Sequence, residues 1–295
     1  MKTSASRRAF VLCNTILLAG ISVLCLLPLA HILAISLSDK ASVAAGYVNF
    51  WPRNLTMASY SYVMAKKEFW QSIAVSVKRI ILGGGLSVAV TVLTAYPLSK
   101  PYRQFRRRTA YVWFFVVTML FNGGIIPTYM LVRQLGLIDS IWALVLPPAV
   151  QVFNIVLLLN FYREIPAALE EAALIDGAGH WKIWRRIYVP LSVPAIATVT
   201  LFTLVGHWNE WFGGLIYMNR LENYPLQTYL QSVVVQTSLA QMSTGSIAEM
   251  TNRLLVSDRT FKAAQIFIGA LPVLCFYPFL QKYFVKGITL GGVKG

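Results

Sequence analysis

Phe10-Val-Leu-Cys-Asn-Thr-Ile-Leu-Leu-Ala-Gly-Ile-Ser-Val-Leu-Cys-Leu-Leu-Pro-Leu-Ala-His-Ile-Leu-Ala-Ile-Ser-Leu37 contains no Asp, Glu, Lys or Arg. Crossing the hydrocarbon core of a bilayer as a helix takes about 20 apolar residues, and this stretch is longer than that. Lys2, Arg7 and Arg8 precede it, as they would in a secretion signal. The apolar region of such a signal spans only about 7–15 residues and leads to a small-residue cleavage site. The run is too long and has no clear cleavage site, so residues 10–37 are expected to persist as a first transmembrane helix.

Five further runs meet the same criterion: Ile80–Leu98, Ala110–Val132, Ile141–Phe161, Val193–Met218 and Ala263–Phe284. The second helix can begin as early as Trp70, which leaves Lys78 and Arg79 near its outer end. The expected fold class is therefore all-α integral membrane, with six transmembrane helices. Composition agrees. Hydrophobic residues make up 57% of the chain and charged ones 13%, whereas a soluble domain carries about 25% charged residues. So few charges could not cover a water-facing surface. The formal net charge of +15 would point to nucleic acid in a soluble protein. Cytoplasmic loops of membrane proteins collect Lys and Arg, and spans exclude acids, which accounts for the excess. No basic stretch interleaved with aromatics lies outside the apolar runs, so nucleic acid is not an expected partner. Cys13, Cys25 and Cys275 fall inside apolar runs, without metal-ligand spacing. They are expected to be packing residues, and no metal site is expected.

Orientation follows from the basic residues, because those in short loops vote for the cytoplasm. Placing the N-terminus inside puts the cluster Lys100, Arg103, Arg106, Arg107 and Arg108 on the cytoplasmic side. Arg163, Lys182, Arg185 and Arg186 fall there too, as do Lys282, Lys286 and Lys294. Both termini are then cytoplasmic. The layout reads as a cytoplasmic N-terminus (1–9), a first helix (10–37) and a core of five helices (70–285) with a large cytoplasmic loop at 163–192. A cytoplasmic tail (286–295) follows. Two long loops, near 38–67 and 219–262, lie outside; neither has the character of an independent domain.

The 163–192 loop is the most informative polar stretch. It reads Ile165-Pro-Ala-Ala-Leu-Glu-Glu-Ala-Ala-Leu-Ile-Asp-Gly-Ala-Gly-His180, then Trp181-Lys-Ile-Trp-Arg-Arg-Ile-Tyr-Val-Pro190. Pro166 suits a first helical turn, where its missing N–H costs nothing. Glu170 and Glu171 fall early, where carboxylates favour the helix dipole. Gly177 and Gly179 stop the helix, since glycine accepts the left-handed conformation there. A second short helix runs toward Pro190. The expectation is a helix–turn–helix whose small-residue side, Ala172 and Ala173, can sit deep in a groove. The competing reading is an amphipathic helix lying on lipid headgroups.

Glu171-Ala172-Ala173, followed by Gly177, Ile187 and Pro190 at their spacing, resembles the EAA loop of permease subunits of ATP-binding cassette importers. Val189 stands where that pattern has a Leu-like residue. Phe121–Tyr129, Trp208-Asn209 and the C-terminal Phe284–Gly295 resemble carbohydrate permeases, of the branch handling complex oligosaccharides, some built from uronic acids. The resemblance covers nearly the whole chain. It implies a type I (MetI-like) permease fold with a cytoplasmic coupling helix. Glu170, Glu171, Ala172, Ala173, Asp176, Gly177, Ile187 and Pro190 are then the ATPase-coupling positions, with Glu171 and Gly177 foremost. It also implies partners: a second, distinct permease subunit, two cytoplasmic ATPases and an extracytoplasmic solute-binding protein, all at a bacterial inner membrane. The chain has no Gly-x-x-x-x-Gly-Lys-Ser/Thr loop, so ATP and Mg are expected on the partner ATPase, with no cofactor here. Gly83-Gly84-Gly85 lacks that lysine and is expected to serve close helix packing.

Polar groups inside spans usually face a cavity or a partner helix. Trp208, Asn209 and Glu210 form a candidate substrate path, with Trp faces for sugar rings and Asn and Glu for hydroxyls. Asn122 and Asn154 extend it, and Gly123, Gly124 and Pro127 suggest a broken helix beside Asn122. The alternative for Asn209 and Glu210 is to hold helices or a partner subunit. Three rivals remain: a permease for another small solute, an ion-coupled carrier acting alone, and a membrane enzyme. A carrier would show internal repeats and midplane carboxylates, and no clear repeat is present. Adjacent Glu170 and Glu171 point apart on a helix, and His31, His180 and His207 form no nucleophile or metal arrangement. No catalytic residue is expected.

Overall fold

In lipid, apolar burial no longer drives helices together; small residues that allow close approach, and polar groups that bond across helices, do that instead. The computed structural model of the chain describes residues 5–239, 259–272 and 274–275, and every regular element among them is helical. The helices are α1 (Ala5–Ser36), α2 (Lys40–Ala44), α3 (Ala58–Met64), α4 (Lys67–Arg79) and α5 (Gly85–Ser99). They continue with α6 (Arg108–Leu120), α7 (Ile125–Gln134), α8 (Ile141–Val145), α9 (Val152–Glu164) and α10 (Ala167–Ile175). The last are α11 (His180–Ile183), α12 (Val189–Leu191), α13 (Val193–Asn209), α14 (Phe212–Tyr217) and α15 (Leu226–Leu239). Residues 259–272 are also helical.

Two of these paths are long and apolar enough to cross a membrane unbroken: Ala9–Ser36, and Lys67–Ser99, where a π turn at Ile80–Gly84 joins α4 to α5. Three more are bent pairs: α6 with α7 at 110°, α9 with α10 at 73°, and His180–Leu191 with α13 at 80°. Counting each pair as one span gives up to five among the described residues. The six expected runs are therefore present as apolar sequence, but several are interrupted. Pro147 and Pro148 split the fourth run between α8 and α9, because proline supplies no N–H to the preceding turn. The fifth run breaks between α13 and α14 at Glu210–Trp211. The sixth run, Ala263–Phe284, is described only at 263–272 and 274–275; its remainder and the tail 286–295 lie outside the described residues. Cys13, Cys25 and Cys275 are exposed rather than packed in the core; a helix facing lipid accepts apolar thiols on its surface.

The chain divides into two compact units. The first holds the residues up to Phe69 together with Ser232–Pro272. Within it the Ser36 and Tyr60 hydroxyls meet at 2.7 Å, and Lys66 Nζ lies 4.8 Å from the Tyr62 ring centroid and 5.6 Å from that of Phe261. The second unit contains Trp70–Gln231 and both candidate sites. Its core sets α5 and α9 side by side, with Ala95, Leu158, Tyr162 and Ile183 buried. The π turn packs on α13 with no room to spare. A Cβ on Gly83 would lie 2.7 Å from the His207 ring, and one on Gly84 would lie 2.8 Å from Leu204. Gly83 and Gly84 thus serve close packing, as expected, whereas a Cβ on Gly85 would meet nothing within 4 Å. Polar bonds join the start of α9 to α13: Asn154 Nδ2 donates to Thr203 Oγ1 at 3.1 Å, and Thr203 Oγ1 lies 3.0 Å from Gln151 Oε1.

Candidate functional site

Successive residues on an α-helix point about 100° apart, so Glu170 and Glu171 must face different surroundings. On α10 they do: Glu170 is buried, while Glu171 is exposed. Pro166 precedes the helix, which starts at Ala167. Gly177 ends it with φ +74°, the left-handed value. α11, a π turn at Trp184–Tyr188 and α12 follow without a break. Pro190 lacks the N–H that would close a regular turn onto Arg186, so a loosened turn just before it is in keeping. Ala173 and Ile187 pack against the core, and Ala172, Asp176, Gly177 and Pro190 are exposed.

Glu170 sits in a built pocket. Lys100 Nζ donates to its Oε2 at 2.8 Å, and the Tyr188 hydroxyl donates to the same oxygen at 2.6 Å. The Lys100 ammonium sits in the corner of two rings packed edge to face, 4.0 Å from the Tyr96 centroid and 4.1 Å from that of Tyr188. Each such contact is worth about 2 kcal/mol once water is excluded. Burial alone would raise the Glu170 carboxyl, but the bonds from Lys100 and Tyr188 and the charge on Lys100 outweigh it, so the carboxylate is held below its ordinary range. Burial, and then the bond to Glu170, pushes Tyr188 upward and keeps its proton in place as donor. The cluster is therefore an ion pair sealed by tyrosines.

The second site is a cavity of about 610 Å³. Arg79, Asn122, Gly123, Gly124, Thr128, Pro147, Glu210 and Tyr217 are among its walls. Gly124 takes φ +87° where α6 gives way to α7, so the break predicted beside Asn122 is present. Arg79 is 2% exposed and donates Nη1 to the Glu210 carbonyl at 2.8 Å and Nη2 to Glu210 Oε2 at 2.5 Å. Glu210 Oε1 accepts from the Gly213 N–H at 2.6 Å. The two opposite charges thus cancel at the cavity wall.

Of the sequence-predicted path residues, the structure brings Asn122 and Glu210 to one cavity. Trp208 is buried in the helix packing, Asn209 is exposed elsewhere, and Asn154 is bonded between α9 and α13. Sequence reasoning missed both partners, Arg79 for Glu210 and Lys100 for Glu170. A signal existed for the first: the one in-span carboxylate calls for a basic partner, and Arg79 lies at the end of a neighbouring run. Among the described residues no group of three or more His, Cys, Asp or Glu gathers as metal ligands.

Residues 41–290 match the family described as the binding-protein-dependent transport system inner membrane component. The chain is similar to Protein LplC of Bacillus subtilis, 37% identical over all of this chain and 98% of that one. It is also similar to the polygalacturonan/rhamnogalacturonan transport system permease protein YtcP of the same organism, 38% identical over 93% of this chain and 94% of that one. Among solved structures, one chain of a bacterial ABC transporter involved in the import of the acidic polysaccharide alginate superposes with a TM-score of 0.84. That chain is 33% identical, and the match covers 96% of this chain and 99% of that one.

Proposed function

The chain belongs to the family of inner-membrane components of binding-protein-dependent transport systems, and from that premise we propose that it is a permease subunit importing uronate-containing oligosaccharides. As a transport-system membrane component it is not itself an enzyme. The proposed arrangement has six spans with both termini in the cytoplasm. A distinct second permease subunit, two ATPases that bind ATP and Mg, and an extracytoplasmic solute-binding protein complete it. The observation that carries the reading is the geometry of α10. One carboxylate, Glu170, fastens the helix to the bundle, while Glu171, Ile175 and Gly177 stay exposed for a docking ATPase. Glu171, Ala172, Asp176 and Gly177 are the proposed contact positions; Ala173, Ile187 and Pro190 hold the loop that presents them.

The substrate class draws support from two relatives, one named for polygalacturonan and rhamnogalacturonan and one for alginate, both acidic polymers. Asn122 and Glu210 are the proposed path residues of this subunit, at a wall that also carries Arg79. Transport into proteoliposomes containing the assembled complex tests the reading. Oligogalacturonates or alginate oligomers are expected to accumulate with ATP, and malto-oligosaccharides of equal length are not. Uptake of the neutral oligomer in preference would overturn the substrate class. Uptake without any ATPase partner would overturn the importer reading.

A further inference from the structure

An exposed helix face receives a push, but nothing in that face decides where the push goes. α10 is linked to its neighbours in the chain by two corners. It meets α9 through the 73° bend at Ile165–Pro166, and α11 through the left-handed turn at Gly177. A force carried only by the backbone would be taken up as rotation at those corners. One side-chain link bypasses both. Glu170, on the inward side of α10, holds Lys100, the residue immediately after α5. α5 continues through the π turn into α4 as one helix, Lys67–Ser99. That helix carries Gly83 and Gly84 against α13, and Arg79 to Glu210 at the cavity.

We propose, on the reading that α10 receives the ATPase stroke, that Lys100 is a positioning residue which locks α10 to the Lys67–Ser99 helix, so that both move as one body. The carboxylate fixes the ammonium from one direction, and the rings of Tyr96 and Tyr188 fix it from two more. An ion pair alone could swing as α10 tilts; an ammonium seated in the corner of two rings and bonded to a carboxylate has less freedom to do so. Tyr188 reinforces the lock by donating to the same carboxylate oxygen, which ties in the helical run after Gly177. The stroke then arrives at the cavity wall through Arg79 and Glu210, and does not dissipate at the Pro166 and Gly177 corners.

The test uses the full complex in proteoliposomes and reads oligosaccharide transported per ATP hydrolysed, at matched assembly measured by copurified ATPase. Lys100→Met and Glu170→Gln are each expected to lower that ratio about tenfold, within the roughly 5–150-fold range of coupling between sites. The double variant is expected to be no worse than either single one, because the two groups act as a unit. Lys100→Arg is expected to keep most of the ratio, since a guanidinium retains the charge and stacks on aromatic faces. The exchanged pair Lys100→Glu with Glu170→Lys is expected to stay uncoupled, because a carboxylate would meet the negative ring faces. Where the truncating variants fail to assemble, the arginine variant and the exchanged pair decide. A wild-type ratio in the assembled single variants, or full rescue by the exchanged pair, would overturn the lock while leaving the importer reading intact. A wild-type complex that hydrolyses ATP and moves no oligosaccharide would remove both.

Discussion

Glu170 and Glu171 are chemically identical neighbours that the fold treats as different residues. Burying a carboxylate is unfavourable unless it is paired and hydrogen-bonded, and Glu170 has both Lys100 and Tyr188. Removing one partner of a buried pair leaves an uncompensated charge and costs about 3–5 kcal/mol. Glu171, exposed to solvent, has no such role in stability, and its replacement is expected to leave unfolding unchanged within about 0.5 kcal/mol. The acid dependence follows from the direction of the Glu170 shift. Its carboxyl is held below the ordinary value of 4.5, because the bonds from Lys100 and Tyr188 outweigh burial. A depressed folded value means that the stabilisation is complete above the ordinary value. It is lost only as pH falls through the lower, folded one. The gap in thermal midpoint between wild type and Glu170→Gln in detergent should therefore stay constant from neutral pH down to the ordinary carboxylate range, and close below it. A gap that has already closed at neutral pH would mean the pair is not ionised.

Helices of this chain are continuous or broken for reasons that can be assigned to particular residues, and Gly83 is the most exacting of these. Gly83, Gly84 and Gly85 are consecutive and identical, yet only two of them meet a neighbour. A Cβ at Gly83 would overlap the buried His207 ring at 2.7 Å, one at Gly84 would press on the end of the Leu204 side chain at 2.8 Å, and one at Gly85 would meet nothing within 4 Å. Overpacking costs about 1–3 kcal/mol, and the gain in helix propensity from Gly to Ala is about 1 kcal/mol. Gly83→Ala should therefore lower the thermal midpoint most, and Gly84→Ala should lower it less because a leucine methyl can move. Gly85→Ala should leave it unchanged or raised. Equal midpoints for all three would refute the close approach of the π turn to α13. Such contrasts mark the limit of what sequence alone discloses. The apolar runs, the break near Gly124 and the stop at Gly177 were legible, because length and glycine chemistry are local. The interruption at Pro147–Pro148 falls within an apolar run, and hydropathy does not distinguish a helix from an apolar bend. The partners of Glu170 and Glu210 were not legible as pairs. Lys100 lies 70 residues before Glu170 and Arg79 lies 131 before Glu210, and only the packed bundle brings them together.

Two contrasting settings of exposed apolar side chains stand out among the described residues. Along α1 they cover a run long enough to cross a bilayer, and no residue of the apolar α6 is buried, so lipid is a suitable solvent for both. Around α10 and α11 they stand beside Glu171, Asp176, Lys182, Arg185 and Arg186, where lipid is a poor solvent for so many charges. Ile175 is 86% exposed and Trp181 65%. An apolar knob ringed by charges fits a protein groove, where its burial excludes water while the charges set the register. On the proposed reading that groove belongs to the ATPase. Ile175→Asp should then strip the copurifying ATPase from the complex by about 2 kcal/mol or more of lost affinity, the scale of a central interface residue. Insertion and the thermal midpoint of the isolated chain should not change, since Ile175 touches no core. Phe114→Asp on α6 serves as the opposite control, expected to impair insertion because its exposed face meets hydrocarbon. If Ile175→Asp retained the ATPase and instead failed to insert, α10 would be lying among the lipids, and the stroke would have to enter the bundle elsewhere.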